Sequence, residues 1–321
     1  MEAPQKASPS RFSRRIGIDV GGSKCLGVLL DAEGAVVAEE RRPTPKETDE
    51  LVERLCELSE VLGPADSIGV GVPGLVTREG MLRAAPHITK VADLPLRTLL
   101  SERLGREVVI DNDATCALLA EFTVGNAQGV RDAVLVTLGT GIGGGVLAGG
   151  VIQRGANGFV GEMGHMVVDP DGPDCPCGRR GCWERFASGS ALAHFGRMAA
   201  AAGELPVALK LAGGDPEAVM GEHVTAAARA GDPASLQILD GFGRWVGIGL
   251  VNLTNLLDPE LFVLGGGLVE LRDLIVEPIR HWLGQLLYAP SFRPHPRLEI
   301  ARLGQRAGAI GAAMLPASNP S

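Results

Sequence analysis

The sequence predicts an α/β protein made of two related α/β domains that face a cleft. A short strand, a glycine-rich turn and a returning strand occur near residue 16 and again near residue 133. Each turn carries a small hydroxyl residue, Ser23 in the first and Thr140 in the second. Helical periodicity follows the first unit, so hairpins are joined to βα units. This combination indicates mixed sheets with helices on their faces.

The hydrophobic pattern then assigns the elements in chain order. Strands are predicted at 16–20, 25–30, 35–40, 67–72, 107–110, 133–138, 146–148 and 261–264. Helices are predicted at 48–62, 94–104, 114–122, 233–257 and 306–315. Residues 139–145 are assigned to a glycine turn and 149–180 to loops, and the remainder is mainly helical. Glycine and proline clusters set the boundaries between these elements.

This assignment gives a domain plan. Residues 1–15 are polar, carry prolines and serines, and lack the apolar stretch of a secretory signal, which predicts a disordered tail on a cytoplasmic protein. Residues 16–114, with about 306–321, form the expected N-terminal α/β domain. Residues 115–305 form the expected C-terminal domain, which includes a metal loop at 161–184.

The charge balance argues against two classes of partner. The 321 residues include 30 Lys and Arg against 38 Asp and Glu, a net charge of −8. An acidic chain without a basic face is a poor partner for nucleic acid or an anionic membrane. No apolar run approaches the roughly 18–20 residues of a membrane span.

The first glycine turn is a candidate phosphate site. Glycines allow backbone N–H groups to converge on a phosphate, and Ser23 adds a hydroxyl donor. Asp19, just inside the strand end, is placed to hold a phosphate-bound Mg²⁺. A plain hairpin turn explains the same residues equally well. The candidate cofactor residues are Asp19, Gly21, Gly22, Ser23 and Lys24.

Two further glycine sets extend this hypothesis. Residues 139–145 hold five glycines, more than a hairpin needs, and Gly139, Thr140 and Gly141 are the candidate phosphate contacts. Gly265, Gly266 and Gly267 close a buried strand, where a flat adenine ring could lie against the backbone. A tight strand-to-helix turn is the alternative for this third set.

The segment 111–113, Asp-Asn-Asp, lies where a strand meets a helix. An aspartate at this place is commonly a helix N-cap. The functional alternative has Asp113 accept a proton from a substrate hydroxyl while Asn112 holds neighbouring hydroxyls. The sequence alone favours the cap for Asp113.

A third constellation predicts a metal site. His165, Cys175, Cys177 and Cys182 supply the imidazole and three thiolates that suit tetrahedral zinc. Such a cluster without an export signal favours a metal over disulfides, although buried free thiols are the alternative. Glu162 and Glu184 flank these ligands. They are either hydrogen-bond acceptors for a polyhydroxylated ligand or solvated surface residues.

Together these residues resemble the ROK family of repressors, open reading frames and kinases. The matching segments are 19–24, 71–74, 112–114, 138–145, 161–165, 175–184 and 264–267. They span nearly the whole chain in the family's order. Trp183, residues 187–189 and residues 282–295 most resemble the bacterial, actinobacterial-type glucokinases of this family.

The resemblance implies an actin-like (RNase-H-like) ATPase fold and ATP-dependent phosphorylation of a hexose, with D-glucose as the expected acceptor. It implies that Asp113 is the catalytic base. The implied sugar contacts are Gly74, Asn112, Asp113, Glu162, His165 and Glu184. It further implies structural zinc on His165, Cys175, Cys177 and Cys182, ATP on the glycine turns, and Mg²⁺ near Asp19. A sugar, a nucleotide and further copies of the chain, as a dimer or tetramer, are the expected partners.

Three positions depart from the family pattern, and alternatives remain. Ser23 replaces the usual threonine, Thr115 a frequent asparagine, and His87 the asparagine common in glucokinases. A kinase for N-acetylmannosamine, N-acetylglucosamine, mannose or fructose is therefore also open. A sugar-responsive regulator is less favoured, because only about fifteen residues precede the first strand and repressors carry a helix-turn-helix there. An actin-like assembly protein would not need the metal loop.

Overall fold

The structure is a computed structural model of the chain, and it describes residues 13–85 and 91–318. Residue contacts divide the chain into two compact units. The first unit comprises the described residues of Met1–Leu135, Gly145–Gly161 and Ala301–Ser321. The second comprises Val136–Gly144 and Glu162–Ile300.

The first unit is built on a five-stranded mixed sheet of order β3-β2-β1-β4-β7. Its strands are β1 (Arg15–Val20), β2 (Lys24–Leu30), β3 (Val36–Pro43), β4 (Ser67–Val72) and β7 (Val108–Asn112). β1 pairs antiparallel with β2 and parallel with β4, and β4 pairs parallel with β7. The mixed sheet predicted from the hairpin and βα units is therefore present. A small hairpin of β5 (Leu75–Val76) and β6 (Leu82–Ala84) follows β4.

Helices cover both faces of this sheet: α1 (Thr48–Leu62), α2 (Leu96–Leu104), α3 (Asp113–Val124) and α10 (Ala307–Ser318). Ile16 and Ile18 of β1 share one core with α1 and α2, whereas Leu26 and Val28 of β2 share the other with α3 and α10. Alternate residues of a strand point to opposite faces, so one sheet supplies both cores.

The last helix of the chain lies unusually close to this sheet. A Cβ added at Gly17 would lie 1.9 Å from the carbonyl oxygen of Ala309, and one at Gly69 would lie 1.8 Å from that of Ala312. A Cβ at Gly311 would lie 1.7 Å from the carbonyl oxygen of Cys116 in α3. Glycine is required at these positions because backbone packs directly on backbone.

The second sheet has the order β10-β9-β8-β11-β12. Its strands are β8 (Ala133–Leu138), β9 (Ile142–Ala148), β10 (Val151–Gln153), β11 (Leu261–Gly265) and β12 (Arg297–Ile300). The helices of the second unit are α4 (Glu184–Ala187), α5 (Gly189–Ala201), α6 (Pro206–Leu211), α7 (Gly221–Arg229), α8 (Pro233–Leu257) and α9 (Asp273–Leu286). Among the described residues, no helix has the length and apolar content needed to cross a membrane.

Two expectations need correction. The predicted glycine turn at 139–145 is too long, because β9 already begins at Ile142. The predicted tail of residues 1–15 is too long as well. Arg15 begins β1, and the backbone N–H groups of Ser13 and Arg14 donate to a carboxylate oxygen of Asp66 at 2.7 and 2.9 Å. Residues 1–12 lie outside the described part.

The contact units also differ from the predicted domains. Helix α3 and strand β10 belong to the first unit, which reaches Leu135 rather than ending at residue 114. The physical reason is the backbone contact between α3 and α10, where Gly311 meets Cys116. The described residues of Ala301–Ser321 also belong to the first unit. The domain boundary itself stays a prediction.

Candidate functional site

The junction of β7 and α3 separates the roles of Asn112 and Asp113. Asn112 has extended backbone, and its Oδ1 accepts hydrogen bonds from the N–H groups of Ala114 and Thr115 at 2.9 and 3.1 Å. Asn112 is therefore the N-cap of α3. Asp113 is the first helical residue, and its Oδ1 also accepts from Ala114 at 2.8 Å. The helix N-terminus favours the ionised form of a carboxylate at this place.

Asn112 also reaches a second predicted sugar residue. Its Nδ2 donates to the carbonyl oxygen of Gly74 at 3.3 Å. Gly74 has φ +98°, and a Cβ there would lie 2.1 Å from the carbonyl oxygen of Ala84. Only glycine fits this bend. Because the helix cap occupies the Asn112 oxygen and Gly74 accepts from the amide nitrogen, the second N–H of that amide is the group left to meet a ligand.

Asp19 lies near Asp113 in the same unit. Burial, together with the nearby Asp113 carboxylate, raises the pKa of Asp19 to about 8, while Lys24 lowers it. Gly308 at the start of α10 leaves room for this carboxylate, since a Cβ there would lie 2.6 Å from its Cγ. A buried carboxylate beside a second one is stabilised by a cation, so Asp19 fits the expected role near Mg²⁺.

The first glycine turn is tight and exposed. The N–H of Gly21 donates to the carbonyl oxygen of Lys24 at 2.9 Å. Thr44, which the sequence did not single out, follows β3 and supports the turn, since its Oγ1 donates to the Gly21 carbonyl at 2.7 Å. Lys24 Nζ donates to Oε1 of Gln305 at 2.7 Å. Gly22 and Ser23 stay exposed and lie in the turn as predicted.

In the second unit, the turn after β8 is short. The N–H of Gly139 donates to the carbonyl oxygen of Gly141 at 3.0 Å. The start of α5 lies against it, because the N–H of Gly189 donates to the Gly139 carbonyl at 2.7 Å and Ser190 Oγ to the Thr140 carbonyl at 2.8 Å. Residues 189 and 190 were not predicted as site residues, and only their small size hinted at a close contact.

The third glycine set lies beside the end of β8. Gly265 ends β11. Gly266 has φ +85°, and a Cβ there would lie 2.4 Å from the carbonyl oxygen of Leu138. A Cβ at Gly267 would meet open space. Gly266 is thus required by packing, which supports the tight-turn interpretation for this residue. The adenine interpretation of the set stays a prediction.

His165, Cys175, Cys177 and Cys182 come together in the second unit, as the sequence predicts. Their ligand atoms all lie within 4.8 Å of one another. Cys177 Sγ lies 3.6 Å from Cys182 Sγ, and Cys175 Sγ lies 3.8 Å from His165 Nδ1. Four ligands at zinc bond lengths of about 2.3 Å in a tetrahedron are about 3.8 Å apart. Burial raises the pKa of the Cys175 thiol to about 12, so a cation would be needed to hold it as a thiolate.

Both predicted glutamates border this cluster. Glu184 Oε1 lies 3.8 Å from His165 Nδ1 and accepts from the Cys175 thiol at 3.4 Å. Its Oε2 faces the second glycine turn, since a Cβ at Gly141 would lie 2.8 Å from it. Glu162 Oε2 lies 3.9 Å from His165 Nε2, on the other side of the ring. The two carboxylates therefore border the imidazole of His165 on its two ring nitrogens.

Trp183 attaches the metal loop to α8. It is fully buried, and its Nε1 donates to the carbonyl oxygen of Trp245 at 2.8 Å. A Cβ at Gly249 would lie 2.0 Å from its ring, so this glycine opens the space that the indole fills. Phe186 stacks on Trp245 with ring centroids 4.1 Å apart. His87, the departure near the expected sugar pocket, lies outside the described residues.

Comparison with known proteins shows which family has this sequence. The chain matches the model of the ROK family over residues 15–318. It is 37% identical over 306 residues to the glucokinase of Streptomyces coelicolor, which covers 94% of this chain and 96% of that protein. It is 30% identical over 307 residues to the xylose repressor of Bacillus spizizenii, which covers 92% of this chain and 75% of the repressor.

A solved structure shows the same fold. The crystal structure of a ROK family glucokinase from Streptomyces griseus in complex with glucose and AMPPNP matches with a TM-score of 0.86. The two chains are 36% identical, and the match covers 94% of this chain and 98% of that one. The fold is thus an actin-like ATPase fold, as the resemblance implied. The chain belongs to the ROK family.

Proposed function

We propose that this ROK-family protein is a sugar kinase that transfers a phosphoryl group from ATP to a hexose, with D-glucose as the acceptor and glucose 6-phosphate as the product. The observation that carries the proposal is the division of roles at the start of α3. Asn112 caps the helix, so the cap does not account for the carboxylate of Asp113. The relatives named glucokinase support the choice of glucose.

In this proposal Asp113 is the general base. A sugar hydroxyl must lose its proton and point in line with the γ-phosphate. Phosphoryl transfer has a loose transition state, so positioning and charge neutralisation supply most of the catalysis. Gly74 and Asn112 lie beside Asp113 and would hold neighbouring hydroxyls. Asp19 would hold Mg²⁺ through water, and that ion would neutralise charge on the transferred phosphate.

In the second unit the two carboxylates and the imidazole recognise the sugar. Glu162 and Glu184 accept hydrogen bonds from hydroxyls. His165 keeps Nδ1 toward the cysteines and Nε2 toward Glu162, so a zinc ion on Nδ1 would fix the direction of the other ring nitrogen. The ion is structural in this proposal, because four protein ligands leave no open position. The glycine turns at 21–24 and 139–141 would bind the phosphates.

An ADP-release assay with a panel of hexoses tests this function. We expect turnover with ATP and the highest kcat/KM for glucose. A higher kcat/KM for N-acetylmannosamine, N-acetylglucosamine, mannose or fructose would replace glucose but keep the kinase. Sugar binding without turnover on any hexose would favour the sugar-responsive regulator, which the likeness to the xylose repressor keeps as the second candidate. The homo-oligomer and the cytoplasmic location stay predictions.

A further inference from the structure

Arg154 lies in the loop after β10 and forms an ion pair with Asp111, which precedes Asp113 by two residues. Its Nε donates to Oδ2 of Asp111 at 2.7 Å. The two side chains are only 21% and 9% exposed. Removing one partner of such a pair leaves a charge that neither water nor protein compensates. The Nη2 of Arg154 is buried and makes no hydrogen bond within the described part of the chain. The guanidinium therefore depends on Asp111 for its ion pair.

The ion pair continues into the junction of β7 and α3. Oδ1 of Asp111 accepts the backbone N–H of Asn112 at 2.9 Å. The side chain of Asn112 in turn caps α3 and donates to Gly74. Arg154 is therefore the outer end of a bonded series that includes both residues before Asp113. Restricting these groups also restricts the direction in which the first turn of α3 presents its carboxylate.

The charges around the buried thiol of Cys116 show that this neighbourhood is rich in carboxylates. After burial itself, Asp111, Asp19 and Asp113 all raise the pKa of Cys116, whereas Arg154 lowers it. Arg154 thus supplies positive charge where three carboxylates act on one group. Lys24 acts in the same sense on Asp19. Like charges that crowd a site repel, so an internal cation helps to keep these side chains in place.

A second arginine holds the same loop without touching Asp111. Arg78 Nε donates to the carbonyl oxygen of Gly155 at 2.8 Å. Gly158, with φ +97°, approaches the turn after β5, where a Cβ would lie 2.4 Å from the carbonyl oxygen of Val76. The loop therefore has an anchor that is independent of Arg154. Arg78 provides a matched control for general loosening of the loop.

We propose that Arg154 is a positioning residue for phosphoryl transfer: it holds Asp111 and so fixes the junction that directs Asn112 and Asp113. The proposal rests on the kinase function proposed above. Arg154 does not contact the reacting atoms and acts only through Asp111. Its effect belongs to the first unit, where all the residues of this bonded series lie.

Kinetics of three single variants give the first test. Arg154→Gln should lower kcat about 10-fold or more, because small displacements of a catalytic group are costly, and should leave the KM for ATP unchanged. Arg154→Lys keeps the charge and should recover part of kcat. Arg78→Gln should keep kcat near the wild-type value. Equal losses in Arg78→Gln and Arg154→Gln would assign the effect to the loop and overturn the proposal.

A double-mutant cycle tests the route through Asp111. Asp111→Asn and Arg154→Gln remove the same ion pair. The kcat of the double variant should therefore lie within about threefold of the kcat of the less active single variant. If the two losses multiply instead, Arg154 acts independently of Asp111 and the proposal fails. Thermal unfolding of each variant confirms that the assay temperature lies below its transition.

Hydrogen exchange supplies a readout that does not depend on activity. The amides of residues 112–115 should exchange faster in Arg154→Gln than in the wild type and in Arg78→Gln. Equal exchange in all three proteins overturns the proposal, even where kcat falls. If exchange changes as expected but the wild type phosphorylates no hexose, the kinase function fails while the anchoring by Arg154 stands.

Discussion

Asn112 and Asp113 are chemically similar neighbours with different tasks at the start of α3. The sequence alone favoured Asp113 as the helix cap, because Asp and Asn are both good N-caps. The structure gives the cap to Asn112, whose oxygen accepts two backbone N–H groups. The carboxylate of Asp113 is therefore the group for which a chemical role remains to be tested.

Asp113→Asn should separate chemistry from structure. Asparagine keeps the size and polarity but cannot accept the proton, so kcat should fall about 10²-fold or more. The KM for ATP should stay nearly unchanged, and sugar affinity should weaken only modestly. Steady-state kinetics and a thermal unfolding curve measure these effects.

Asp273→Asn is the matched control for that variant. Asp273 is also the first residue of a helix, α9, and it is exposed. This change should leave kcat unaltered. An Asp113→Asn enzyme with wild-type kcat would refute the assignment of Asp113 as the base.

At the residue scale, the sequence predicts groups whose partners are near in the chain. The metal ligands could be found because Cys175, Cys177 and Cys182 are close in sequence and follow His165 at a short distance. Thr44, Gln305 and Arg154 could not, because each reaches its partner from a distant part of the chain. A polar residue of this kind looks like any other surface residue until the fold is known.

At the element scale, segments with a clear hydrophobic pattern and a distinct end were predicted best. The bounds of α1, α8, β4 and β8 agree with the prediction, because each has a clear pattern and ends at glycine, proline or polar residues. β5, β6 and β12 have two to four residues, too few to show alternation, and they were missed. The glycines of β9 were assigned to a turn because glycine is typical of turns. At Gly144 the glycine instead serves packing, since a Cβ there would collide with Met163.

The metal loop should depend on its ion as one element. Cys182→Ser should remove the bound metal and raise the sugar KM together, because Glu162 and Glu184 both border the metal ligand His165. Elemental analysis of the purified protein measures the metal, with about one zinc per chain expected in the wild type. Cys56→Ser, at a half-buried thiol outside the cluster, is the control and should change neither quantity. An active wild-type protein without zinc would contradict this expectation.

The contact between α10 and the first sheet predicts a strict requirement for glycine. Gly69→Ala would place a methyl group 1.8 Å from the Ala312 carbonyl oxygen, so the helix must move. We expect a loss of about 1–3 kcal/mol in the free energy of unfolding, as for other overpacked cores. Chemical denaturation measures it.

Gly241→Ala is the control for that substitution. Gly241 lies inside α8, and a Cβ there meets nothing within 4 Å. Alanine should therefore gain up to about 1 kcal/mol from helix propensity. Equal effects of the two substitutions would show that α10 does not constrain Gly69.

At the scale of the whole molecule, the chain returns to its beginning. α10, near the C-terminus, packs on β1 and β4 of the first unit, and Gly308 lies beside Asp19. The domain plan included this return, whereas the local sequence pattern of α10 by itself predicts only an apolar helix. Its reason is physical: Gly17 and Gly69 of the sheet meet alanines of α10 (Ala309, Ala312 and Ala313), and these small residues allow backbone to approach backbone.

Sugar binding should stabilise the folded chain, and this gives a prediction that separates a kinase from a regulator. A ligand that binds only the native state adds about 2.7 kcal/mol at 100 times its Kd. Glucose should therefore raise the unfolding temperature more than mannose, fructose or the N-acetylated hexosamines. Asp113→Asn should keep most of this stabilisation, because it removes a proton acceptor rather than the sugar contacts of Glu162, His165 and Glu184. Turnover in the same variant should fall about 10²-fold or more. A wild-type protein that glucose stabilises as expected, but that releases no ADP from ATP, would bind sugar as a regulator does. The kinase assignment would then be wrong.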